Sequence, residues 1–234
     1  MFKQARAHFS KEATKASGPE NYNIGMKAFH WAMGAGILYA CGTAQLTHHT
    51  KDKELIGKLM WHHKSVGICM VGLIVPRLAW RLMSRKPGHL PISGPTAKIE
   101  HIAGSAAHWG LYGGMLGMSF SGTLIGYYSG YGFPFIFTKL PIGRSVEEKR
   151  GDIAGFAYKC HKWGGVGLEY LIGLHVAAVL YNQALGRPVI SRIAGAGITP
   201  LIVLPYMAMA GGIAYSVSVA DHPDLPDFTK MPKL

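Results

Sequence analysis

Histidine is the residue type in this chain whose number and spacing point to chemistry. Twelve occur in 234 residues, as many as Asp and Glu together. His161 and His175 lie in one apolar region. On an α-helix their spacing turns through about 1400°, within about 40° of one face, and rises about 21 Å. One helix face therefore offers two imidazole nitrogens at two depths. A histidine inside a membrane is costly unless it is used, and neutral imidazole is a common metal ligand.

The partners must come from other helices at matching depth. His30 stands near the start of a first apolar run and His63 near the start of a second. Consecutive spanning helices run antiparallel, so these two starts face opposite membrane surfaces. A fourth helix carrying His161 and His175 runs parallel to the second. His161 then matches His63 in depth, and His175 matches His30. Two bis-histidine pairs, one near each surface, suit two b-type haems stacked across a helical core.

A second regularity points the same way. His30, His63 and His161 are each followed four residues later by glycine, at Gly34, Gly67 and Gly165. One turn along the same face, glycine leaves room for a flat macrocycle. His62 is followed at that spacing by Val66, which favours His63 as the ligand; His175 has only Gly173 nearby. Arg77 has the same spacing from His63 that His175 has from His161, which puts it at the depth of the other haem. A guanidinium there is placed to pair with a propionate. A lone intramembrane histidine often serves only a helix–helix hydrogen bond, and the haem reading rests on four at matched depths. His8, His48, His49, His89 and His222 fall in polar segments and read as solvated. No Cys-x-x-Cys-His motif is present for covalent haem attachment. Zinc would need further ligands beside each pair.

These residues need helices to carry them. Runs of about twenty residues, enough to cross hydrocarbon, appear at residues 28–47, 62–80, 102–128, 163–181 and 194–220. The second is interrupted by Lys64 and Arg77 and the fourth by Glu169; the others are uncharged. Membrane strands would alternate apolar and polar residues, and these runs do not. The reading is an all-α transmembrane bundle: a four-helix di-haem core plus a fifth C-terminal helix. Residues 129–160 form the longest expected loop, opening with Tyr131, Phe133, Phe135 and Phe137 at the membrane interface. The domains expected are a surface arm at 1–25, the membrane unit at 26–193, and the extra helix with its tail at 194–234.

Composition agrees. Charged residues are 15% and hydrophobic ones 49%, against roughly 25% charged in soluble domains. That excludes a disordered chain, and three scattered cysteines exclude a disulfide framework. The net charge of +12 raises a nucleic-acid partner as a possibility, but long apolar runs favour a bilayer, and no nucleic acid is expected. Lysine and arginine divide almost evenly between the two faces, so the positive-inside rule gives no orientation. The basic, acid-poor N-terminus and the added helix incline the expected location to the mitochondrial inner membrane, with a bacterial plasma membrane as the alternative.

The sequence resembles the bacterial-type cytochrome b-561 family, also called the nickel-hydrogenase b-subunit-like family, over roughly residues 22–193. The likeness is carried by Phe29-His30-Trp31, by His63-Lys64-Ser65-Val66-Gly67 with Arg77-Leu78-Ala79-Trp80-Arg81, and by Ala107-His108-Trp109-Gly110-Leu111-Tyr112. It continues in Gly132-Phe133-Pro134 through Leu140-Pro141, in His161, in Leu174-His175-Val176-Ala177-Ala178 and in Arg192. The resemblance implies a four-helix cytochrome with two haems b that exchanges electrons with quinone. Its axial ligands fall on His30, His63, His161 and His175. His108 matches a helix-three histidine outside that set, a candidate for a quinone site, a propionate or an interhelical hydrogen bond.

The leading expectation is an electron-transfer subunit of a respiratory complex, with lipid, quinone and other subunits as partners. The alternatives are a scaffold subunit whose haem lies outside the main electron path, and a stand-alone quinone-linked superoxide oxidase. Lys64 and Lys162, beside His63 and His161, would make one haem mouth basic and attract an anion or an acidic partner. Glu169, about 80° from the His161 direction, is either a proton carrier for quinone or an interhelical hydrogen-bond acceptor. Whether the chain acts as an enzyme by itself stays open.

Overall fold

The computed structural model describes residues 21–85, 87–88, 94–136, 138–187 and 189–194. The fifth apolar run beyond Ala194, the arm before residue 21, and His8, His89, Phe137 and His222 lie outside the described residues. Four long helices dominate: α1 (Ile24–His49), α2 (Lys53–Met83), α3 (Ala97–Tyr128) and α4 (Gly151–Ala184). A hairpin of β1 (Phe133–Phe135) and β2 (Thr138–Leu140) lies between α3 and α4, and a one-turn α5 (Val189–Ile193) follows them.

The helix starts are written in the sequence. Asn23 Oδ1 accepts the Met26 N–H at 2.9 Å, and Asp52 Oδ1 accepts the amides of Glu54 and Leu55, satisfying donors that have no partner inside the helix. At the other end of α4, Gly186 takes φ +72°, the left-handed conformation that closes a helix. Helices α2, α3 and α4 extend well before the apolar runs expected from sequence. The run criterion sees only the part that lipid demands, whereas capping by Asp52 starts α2, and backbone hydrogen bonding alone starts α3 and α4, in the polar region. Residues 151–160, expected in a loop, are thus the first three turns of α4. Helices α2 and α4 are long and apolar enough to cross a membrane.

Close packing occurs within two pairs, α1 with α2 and α3 with α4, while α2 and α3 touch less extensively. Small residues permit it. A β-carbon at Gly36 would meet the end of Met70, and one at Gly114 would meet Leu168 Cδ1 at 2.8 Å. Between the pairs lies a small core of Met33, Ile74, Tyr112 and Met115, with Ile37, Met70, Leu73 and Leu78 packed against it. Many large apolar side chains point outward, among them Leu38, Val75, Phe120, Trp163 and Leu180. That is the surface hydrocarbon accepts and water does not.

The hairpin was not expected. Pro134 and Lys139 face each other in antiparallel register, and Ile136 takes φ +51° in the turn. The hairpin is tied to the early part of α2: Trp61 Nε1 donates to Ile136 O at 2.8 Å, and Ser65 Oγ accepts the Ile136 N–H at 3.1 Å. At the opposite end, Trp31 Nε1 donates to Ile193 O and the Tyr22 N–H donates to Arg192 O. Arg192 itself reaches Gly88 O. These bonds close the described unit on the start of α1.

Candidate functional site

The histidines gather at two levels. On one, the rings of His30 on α1 and His175 on α4 have centres 6.3 Å apart. On the other, His63 on α2 and His161 on α4 are 6.0 Å apart. Two imidazoles held on opposite sides of one metal ion, at about 2 Å per metal–nitrogen bond, have ring centres about 6 Å apart. His62, one residue from His63, turns instead to Tyr39, 6.2 Å away.

Hydrogen bonds fix which ring nitrogen is available at the second level. His63 Nδ1 lies 2.9 Å from Ala40 O; a carbonyl only accepts, so Nδ1 carries the proton and Nε2 keeps its lone pair. His161 Nδ1 lies 3.0 Å from Ser121 Oγ. The Ser121 hydroxyl already donates to Gly117 O at 2.7 Å, so its oxygen receives the His161 Nδ1–H. Both rings thus present Nε2, and the bonded Nδ1–H makes each a more basic ligand. Neither Ala40 nor Ser121 was visible from sequence. Their roles depend on how α1 sits on α2 and α3 on α4, although a serine at a helix–helix contact was a weak signal.

The first level has different company. His108 on α3 stands edge-on to His175, centres 5.2 Å apart, with its Nδ1 donating to Gly104 O at 2.7 Å in its own helix. Arg77 lies within electrostatic reach of His30 and over the Tyr112 ring, 5.4 Å from its centre. Its Nε and Nη1 are buried, and neither has a hydrogen-bond partner among the described residues. A buried guanidinium with two idle donors is expensive, and an anionic group arriving at this level would satisfy it. Glycine spacing gives a divided result. A β-carbon at Gly34 or Gly67 would meet nothing within 4 Å, whereas one at Gly165 would stand 3.4 Å from Met118 Cε. Two imidazole pairs with suitable ring separations, defined lone pairs at one level and an unpaired cation at the other fit haem as the group held here.

The remaining candidates separate. Glu169 accepts from Gln45 Nε2 at 2.9 and 3.0 Å, joining α4 to α1, and does not meet either histidine pair through that bond. Lys64 points to the hairpin side, its Nζ 5.6 Å from the Tyr131 ring centre and within electrostatic reach of Lys139. Lys162 is exposed, and Lys139, unnoticed in sequence, is the cation that accompanies Lys64.

Apolar helices bringing histidines together in pairs at two depths define a class, the helical membrane cytochromes of b type. Comparison with known proteins narrows it. Residues 21–196 match the family described as prokaryotic cytochrome b561. Cytochrome b561 homolog 2 of Escherichia coli (strain K12) is 31% identical over 159 residues, covering 66% of this chain and 82% of that protein. The chain belongs to the prokaryotic cytochrome b561 family. As a member it is an integral membrane protein that binds haem b.

Proposed function

We propose that the protein relays single electrons across the bilayer through two haems b, to or from a quinone, as a subunit of a respiratory assembly. The observation that carries this reading is the double pairing, His30 with His175 and His63 with His161. In it α4 supplies one ring at each level, and α1 and α2 supply the others. Haem, when bound, supplies a one-electron couple at each level. The chain's own residues do the rest. Ala40 O and Ser121 Oγ orient His63 and His161, Arg77 holds a propionate at the His30 level, and His108 supports the His175 ring. Met33, Ile74 and Met115 keep water out of the space between the two levels.

The four-helix unit at 26–193 is the cytochrome in this reading, and residues 194–234 add a fifth spanning helix that docks on neighbouring subunits. The prokaryotic family favours a bacterial plasma membrane over the mitochondrial inner membrane expected from the basic N-terminus. The test is a haem count with reduced-minus-oxidised spectra on the purified chain and four alanine variants. His30→Ala and His175→Ala are expected to remove one spectral component, and His63→Ala and His161→Ala the other. Loss of the same component in His30→Ala and His63→Ala would overturn the pairing, and a chain that binds no haem would sink the function.

A further inference from the structure

Behind the hairpin an open groove of about 360 Å³ is lined by Gly130, Gly132, Lys139, Gly143, Arg144 and Ser145 among others. We infer that this groove binds the phosphate of an acidic phospholipid headgroup.

Charge is the first argument. Lys139 and Arg144 line the groove and Lys64 stands behind Lys139, yet no carboxylate pairs with any of them among the described residues. Among the described residues the Arg144 side chain makes only a 3.4 Å bond from Nη1 to Glu148 O and a stacking contact with Tyr128. Glu147, close by in sequence, is occupied by its own backbone N–H and the Ser145 hydroxyl. Three neighbouring cations without an acid repel one another until an anion joins them.

Backbone shape is the second. Gly132 and Gly143 take φ +65° and +116°, and their amides donate to nothing among the described residues. Idle N–H groups in such turns form concavities that suit phosphate oxygens. A β-carbon at Gly132 would press on Lys139 Cε at 2.8 Å, so the glycine also makes room for the lysine.

The surroundings select a lipid over a soluble anion. Ile142 lines the groove and Val146 adjoins Gly130 at its rim, both 55% exposed, and the hairpin is pinned to Trp61 and Ser65, where α2 enters its apolar stretch. Apolar side chains beside a cationic hollow at that height match the boundary between acyl chains and headgroups.

The experiment uses the full haem-loaded chain in detergent, with native mass spectrometry reading bound lipid after addition of phosphatidylglycerol, phosphatidylcholine, or phosphatidylglycerol with excess inorganic phosphate. The chain is expected to retain phosphatidylglycerol in preference to phosphatidylcholine, and inorganic phosphate is expected not to displace it. Lys139→Gln with Arg144→Gln should lower that preference roughly tenfold to thirtyfold, given the contribution of each cation near a membrane surface. Lys53→Gln, an exposed cation at the start of α2, should leave it unchanged, and haem spectra should be intact in both variants. Absence of the preference, its persistence in the double variant, or equal loss in Lys53→Gln would overturn the site. Displacement by inorganic phosphate would overturn the lipid assignment.

Discussion

Replacing Arg77 by methionine is expected to act in opposite directions with and without haem. Methionine has a similar length and no donors. Without haem the buried Nε and Nη1 have no partner among the described residues, and each idle buried donor costs roughly 1–3 kcal/mol. Against that stands the guanidinium's contact with Tyr112, worth about 0.5–2 kcal/mol. Arg77→Met should therefore leave the haem-free protein as stable as the parent or more stable, by up to about 5 kcal/mol. With haem bound as proposed, the variant would lose a charge-assisted hydrogen bond to a propionate, worth about 1.5–3 kcal/mol, so haem affinity at the His30 level should fall roughly tenfold to a hundredfold. Arg77→Lys keeps the charge but not the planar fork and should fall between. The assay is haem titration into extracted protein, followed by absorbance, alongside thermal unfolding of the haem-free forms. Unchanged haem affinity in Arg77→Met would refute the propionate assignment. Marked destabilisation without haem would show that the guanidinium has a structural partner already.

Ser121→Ala removes the acceptor for His161 Nδ1–H and should weaken only the haem shared with His63, by about tenfold to a hundredfold, as read from the spectral component that His63→Ala abolishes. Gly114→Val places a branched side chain against Leu168 in the α3–α4 contact and should cost about 1–3 kcal/mol in thermal stability, with no selective effect on either haem level. Glu100 at the start of α3 pairs with Arg187 at 2.6 Å. The Thr96 hydroxyl first, and then Arg187, hold its carboxyl below the usual range. The link is thus present above the ordinary carboxylate range and lost as pH falls through the lowered value. The stability difference between the parent and Glu100→Gln should shrink on acidification, and a constant difference would count against the pair.

Membrane character and the histidine pairs were legible in the chain for one reason. Helical rotation and rise convert sequence spacing into face and depth without any knowledge of neighbours, which is why His161 and His175 pointed to His63 and His30. What stayed hidden depends on contacts across elements. Ala40 and Ser121 act through a carbonyl and a hydroxyl that any helix contains. The hairpin arises from a Gly-Phe-Pro-Phe stretch that reads equally well as an irregular aromatic loop. Lys139 gains its place beside Lys64 only when the hairpin forms, and Lys162, expected beside Lys64 at that haem mouth, is exposed. Glycine at four residues after histidine was a partial guide, since Met118 approaches Gly165 while Gly34 and Gly67 stay open.

The helices pack most closely as two hairpins, α1 with α2 and α3 with α4, and both histidine pairs join one hairpin to the other. In the proposed reading the cofactors are therefore the mortar of the bundle as well as its wiring. In that reading each haem fastens one closely packed hairpin to the other. Maturation of the protein becomes an assembly problem in which cofactor supply sets how many finished molecules the membrane holds. The bonds from Ile136 to Trp61 and Ser65 join the two halves at one end by protein contacts alone.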